Sequence, residues 1–133
     1  MVNDTLIINN KFLYIRKIKE DDIKYKYYDA MSVLPREYVK MFTVLTVKEM
    51  EVKLKECKIF LIEDVNSHMI VGSGLLSLLN YSSKIAMVGL IEGISIKKDY
   101  DSEELRNEVL NYLTEYCISE EKCIKCIQNK KNI

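Results

Sequence analysis

Basic and acidic residues cancel in this chain, 20 against 20, and its 133 residues include one histidine, one proline and four glycines. Each shortage excludes something. Without net positive charge the protein lacks the Lys and Arg excess on which non-specific nucleic-acid binding runs. Attraction to an anionic membrane surface is disfavoured for the same reason. The lone His68 sits in turn-forming sequence, which argues against Cys–His and Ser–His nucleophile pairs. The glycines are Gly72, Gly74, Gly89 and Gly93, and no Walker-type phosphate loop can be built from them. The longest stretch without charge, Val65 to Ser83, is broken by Asn66, Ser67, His68 and two of the glycines, unlike a membrane span. Met1, Val2, Asn3 and Asp4 lack the basic-then-apolar order of a secretory signal, so the expected location is cytoplasmic.

The chain is 48% hydrophobic and 30% charged, enough apolar material for a core and unlike a disordered tail. Its length fits one domain, residues 1–133. Of the four cysteines, Cys123 and Cys126 form a C-x2-C pair that Cys57, Cys117 and His68 could nominally complete as a zinc set. CIKCIQ, however, reads as a strand, where residues three apart point to opposite faces. The expectation is therefore buried structural thiols and no metal.

No repeat or low-complexity segment interrupts the chain. Phe12 to Ile18 is β-branched and aromatic enough for a first strand. Glu20, Asp21 and Asp22 then open a helix, carboxylates being favoured in its first turn. Its apolar face is Ile23, Tyr27, Ala30, Met31 and Leu34, and Pro35 ends it. Arg36 to Leu45 reads either as more helix or as an ordered loop. Thr46 with Glu49 is a capping-box pattern, and Val47, Met50, Leu54 and Cys57 form the face of the helix that follows. The period then changes. Ile59 to Glu63 and Met69 to Leu79 read as strands joined by a turn at Asp64 to His68, and after a second turn at Asn80 to Ser83 comes a long strand, Ile85 to Ile96. Asp101 to Ile118 is a helix with the stripe Leu105, Val109, Leu113 and Cys117, and Cys123 to Asn129 a last strand. The order is that of an α+β domain with a mixed sheet. The tyrosines fall mostly at helix-face spacing, although Tyr25, Tyr27 and Tyr28 could form a contact surface.

With these residues the order resembles the GNAT acetyltransferase superfamily, most closely its eukaryotic glucosamine-6-phosphate N-acetyltransferase branch. The likeness is carried by YIRKIKEDDIKYKYYDAMSVL, IFLIEDVNSHMIVGSGLL, GLIEGISIKKDY and LTEYCISEEKCIKC, from about Tyr14 to Cys126. It implies a mixed sheet with an antiparallel central meander and flanking helices. It also implies an acetyl-CoA site in a splay between the long central strand and the final one, where backbone groups of Ile94, Ser95 and Ile96 would pair with the pantetheine arm. A Glu-Asp pair of the family borders the amino-sugar pocket. Here Glu92 remains, Gly93 stands for the Asp, and Leu90 replaces the His two positions before the Glu. Glu92 could accept a hydrogen bond from an amine or a water, or be a rim carboxylate of the strand. Asn132 matches the Asn of a following Asn-Val-x-Phe-Tyr element, whose Tyr assists the leaving thiolate. The expected domain thus lacks the C-terminal helix and strand that complete the sheet.

The family holds the CoA pyrophosphate with an Arg/Gln-x-x-Gly-x-Gly/Ala loop, whose glycines let backbone N–H groups approach the phosphates at a helix start. Here that stretch is Asp101, Ser102, Glu103, Glu104, Leu105 and Arg106. The expectation is a self-capped helix, with Asp101 and Glu104 occupying the N–H groups. Each close carboxylate–phosphate pair costs about 1 kcal/mol in water and up to ~4 where partly desolvated. Several such pairs are comparable with a micromolar binding energy of ~8 kcal/mol. Lys97, Lys98 and Arg106 offset part of this. The resulting expectation is a catalytically degenerate domain kept as a binding or interaction module, with no cofactor. The alternatives are an active, divergent acetyl-CoA-dependent N-acetyltransferase acting on an amino sugar phosphate or another amine, and an unrelated α+β binding module. A homodimer, or a partner strand, is expected at the unpaired 123–129 edge.

Overall fold

Period-two apolar patterning and a few strong local stops account for most of the chain's elements. The computed structural model describes residues 3–53, 55–81 and 86–130. Along the chain run β1 (Thr5–Ile8), β2 (Lys11–Lys17), α1 (Glu20–Tyr25), α2 (Tyr27–Met31), α3 (Arg36–Phe42), α4 (Val47–Lys53), β3 (Cys57–Asp64), β4 (Ile70–Tyr81), β5 (Ala86–Ile96), α5 (Glu103–Ser119) and β6 (Lys125–Gln128). The sheet keeps chain order from β1 to β6. Its pairs are antiparallel up to β5, and β6 joins β5 in parallel. A parallel neighbour needs a crossover, and α5 supplies it.

The centre of the sheet is buried on both faces. Ile59, Phe60, Leu61 and Ile62 show why, since consecutive residues alternate sides and all four are buried. Phe60, Ile62, Leu76 and Ile91 pack on Leu105, Val109, Leu113 and Cys117 of α5. On the other face Ile59, Leu61, Ile70 and Leu75 meet Ala30, Met31, Phe42, Val47 and Met50, with Ile23 and Tyr27 packed at the margin.

Several boundaries differ from the sequence reading. β1 was not expected; it forms a hairpin with β2 across Asn9 and Asn10, both at positive φ (50° and 64°), which asparagine tolerates better than most residues. The helix expected from Glu20 to Leu34 is two helices, broken at Lys26 (φ −129°, ψ 33°). The break turns α2 so that Asp29 accepts from the Ile70 backbone N–H and pairs with Lys97. Arg36–Phe42 is helical, with Pro35 as its N-cap. The Thr46–Glu49 box forms as expected: each backbone N–H donates to the other's side chain, at 2.9 and 3.1 Å. Leu54 lies outside the described residues, and Cys57 opens β3 opposite Ser77 instead of extending the helix face. Asn80 and Tyr81 continue β4 opposite Met87 and Ala86, while Ser82 and Ser83 of the expected turn lie outside the described residues. The last strand is shorter than Cys123–Asn129. Cys117 and Cys123 are buried, and Cys57 and Cys126 half-buried. Among the described residues no helix is long and apolar enough to cross a membrane.

Candidate functional site

One extra residue in β5 creates the site. Leu76 pairs with Ile91 but Leu75 with Gly93, which leaves Glu92 as a bulge. Strand residues point their backbone groups alternately to the two neighbours, so a bulge reverses that alternation. Before it, the carbonyls of Met87 and Ile91 accept from the Ile124 and Asn129 N–H groups on the β6 side. After it, the Lys97 N–H donates to the Val71 carbonyl (2.8 Å), which places Ser95, opposite Ser73, on the β4 side as well. Ile94 and Ile96 therefore direct their N–H and C=O groups toward the side of β6. There the β6 pairing has stopped, at Ile91 with Gln128. Among the described residues no strand meets this edge.

Glu92 is half-buried, and its carboxylate accepts from the Ser77 hydroxyl at 3.0 Å. Opposite Ser77 on β3 stands Cys57, whose sulfur lies 3.1 Å from the Tyr38 hydroxyl of α3. Burial raises the pKa of the Tyr38 and Cys57 groups, so both keep their protons at neutral pH. Beside Glu92 lies a cavity of about 490 Å³ against Leu34, Tyr38, Ser73 and Ser95. Among the described residues its lining includes two carboxylates, Glu92 and Glu37, and no cationic side chain. A smaller space of about 290 Å³ on the Ser77 side is bordered by Lys53 and Lys55.

The start of α5 is arranged differently from the sequence expectation. Ser102, not Asp101, caps α5; its Oγ accepts from the Leu105 N–H at 3.1 Å. The Asp101 carboxylate instead accepts from Nε and Nη2 of Arg106, at 2.8 and 3.0 Å. A bidentate guanidinium is a better partner for a carboxylate than one backbone N–H. The same Arg106 turns its Nη1 to the Ile94 carbonyl at 3.3 Å. Of the residues expected from sequence, the fold brings Glu92, Ile94, Ser95 and Ile96 to one segment, with the Ser95 side chain exposed, while Asn132 lies outside the described residues. Tyr38, Cys57 and Ser77 were missed, because only tertiary packing brings α3, β3 and β4 to Glu92.

No protein-family model matches the sequence, and no curated protein matches it. Solved structures do match. The glucosamine-6-phosphate N-acetyltransferase of Arabidopsis thaliana superposes with a TM-score of 0.62 at 18% identity, over 88% of this chain and 81% of that one. A ribosomal-protein-alanine N-acetyltransferase of Brucella melitensis gives 0.63 at 12% identity, over 88% and 78%. The aminoglycoside N-acetyltransferase AAC(6')-Iy in complex with CoA gives 0.62 at 10%, over 93% and 80%. The chain has the GNAT fold. At these identities the likeness is one of fold alone.

Measured against what a GNAT cofactor requires, the β5 edge and the start of α5 disagree. The Ile94–Ile96 edge offers the backbone groups that a pantetheine arm would pair with. The phosphate end does not fit. On the correspondence that the resemblance implies, Glu104 and Arg106 fall at the glycine positions and Asp101 at that of the cation or amide, while Ser102 holds the Leu105 N–H. Glu103 and Glu104 add two more acidic side chains in the first turn.

Proposed function

We propose that this chain is a GNAT-fold domain that has lost acetyl-CoA transfer and keeps the cavity beside Glu92 as a binding site. The start of α5 carries this reading. An anion at a helix N-terminus needs free N–H groups and a favourable field. Here one N–H is capped, two glutamates sit in the first turn, and the nearby guanidinium is neutralised by Asp101.

A second reading has its own support. Glu92 is held by Ser77 beside a cavity able to admit an amine, and a carboxylate there could take a proton from an ammonium group. An active, divergent acetyl-CoA-dependent N-acetyltransferase for an amino sugar phosphate or another amine would use these same groups. Calorimetry with acetyl-CoA, beside a thiol-release assay with glucosamine 6-phosphate, separates the two. The first reading expects affinity weaker than millimolar and no release. Low-micromolar affinity with acceptor-dependent release establishes the second.

A further inference from the structure

We propose that Cys126 of β6 and Cys117 of α5 are a redox pair, a modification site that a hydroperoxide converts to a disulfide tying the end of α5 to β6. Packing places the two thiols together. An ideal Cβ at Gly89 would overlap the Cys117 sulfur, so this sulfur fills the space that a side chain at Gly89 would have taken. Cys126 is the residue opposite Gly89 in the parallel β5–β6 pair. Paired residues of neighbouring strands project to the same face of a sheet, so the Cys126 side chain lies on the face that α5 covers. Accordingly Cys126 packs, half-buried, against the cluster that contains Cys117. The two thiols hydrogen-bond to one another. Cys123 is excluded as a partner of Cys126. It precedes Cys126 by three residues along a chain already bonded to β5 through Ile124, and at the strand rise that is about 10 Å, beyond the reach of a disulfide.

Exposure divides the roles within the pair. Cys117 is fully buried, whereas Cys126 keeps part of its surface in solvent. A dissolved oxidant therefore meets Cys126 first. Its thiolate attacks one peroxide oxygen, the O–O bond breaks, and the other oxygen leaves as an alcohol or as water after taking a proton. Cys126 is then a sulfenic acid. The Cys117 sulfur attacks the Cys126 sulfur, the sulfenic hydroxyl leaves as water with the Cys117 proton, and the S–S bond forms. Two thiols have lost two hydrogens, and one hydroperoxide has been reduced. Burial raises the pKa of both thiols, which makes the first step slow and keeps the pair reduced until oxidant is in excess.

The test treats the full, folded chain at low micromolar concentration with excess hydrogen peroxide, blocks the remaining thiols in denaturant and maps the peptides by mass. The expected product has lost the mass of two hydrogens, joins Cys117 to Cys126 within one chain, and returns to the parent mass with dithiothreitol. Cys126→Ser should slow the loss of the Cys117 thiol at least tenfold. Cys117→Ala should halt Cys126 at the sulfenic acid, so that a 1,3-dione traps at least ten times more of it than in the parent. Cys123→Ala should leave the bond and its rate within twofold of the parent. If Cys117→Ala does not fold, the Cys126→Ser and Cys123→Ala proteins decide the matter. A bond that joins other cysteines or two chains would overturn the proposal. So would loss of the Cys117 thiol at an unchanged rate in Cys126→Ser, or two intact thiols under peroxide that has already oxidised the exposed Met69.

Discussion

Replacing Gly89 by alanine tests how closely α5 is seated on β5. An ideal Cβ at Gly89 would overlap the Cys117 sulfur, and would stand 3.4 Å from Cys117 Cβ and Leu76 Cδ1. Cys117 is fully buried, so its sulfur has no solvent to move into. Overpacking of a filled core costs about 1–3 kcal/mol, and a direct overlap with an immobile atom belongs at the upper end, ~3 kcal/mol. Cys117→Ala alone removes one heavy atom and leaves a small void, for about 1 kcal/mol. Made together, the new methyl enters the space the sulfur left, and its remaining neighbours lie at ordinary contact distance. The double variant should therefore sit within about 1 kcal/mol of the parent, where additivity predicts ~4. Urea denaturation of all four proteins, with unchanged m-values, reads the coupling of about 3 kcal/mol. Single costs that add to within ~0.5 kcal/mol would refute the seating of α5 on Gly89.

Asp22 is buried and pairs bidentately with Arg16, at 2.7 Å to each nitrogen. Asp22→Asn leaves a largely buried guanidinium with Glu63 as its remaining carboxylate partner and should cost about 3 kcal/mol by urea denaturation. Glu63 has its pKa held below the ordinary glutamate value: burial pushes it up, and the Arg16 hydrogen bond and charge, with Lys26, outweigh that. Its contribution is fully present above the ordinary value and is lost as pH falls through the lower folded value, so Glu63→Gln should flatten the acid limb of a stability–pH curve. Asp101→Arg, Glu104→Gly and Arg106→Gly together should restore acetyl-CoA binding at least tenfold in calorimetry, and no gain would refute the charge and backbone argument at α5. Among the described residues β6 has a neighbour on one side only, and Ile124 and Ile127 are exposed. We propose that this edge pairs with a second copy, and sedimentation showing only monomer at high micromolar concentration would count against it.

The sequence by itself determined the features whose physics is local. The Thr46–Glu49 box, the turn at Asp64 to His68, the buried stripe of α5 and the β3–β4–β5 meander all depend on contacts within a few residues or on a repeating period. The acidic, glycine-free start of α5 was legible too, because composition alone states what a phosphate would meet. Tertiary structure decided the rest. Nothing local marks Lys26 as a break, since the reason is Asp29 reaching Ile70 and Lys97. Asp22 reads as a first-turn carboxylate and becomes a buried partner only once β2 brings Arg16 against it. Asp101 reads as a cap and loses that place to Ser102, because Arg106 folds back onto it. The bulge at Glu92 is a property of pairing, not of one strand. It exists only when β4 is laid beside β5, and with it comes the reversed backbone of Ile94 and Ile96.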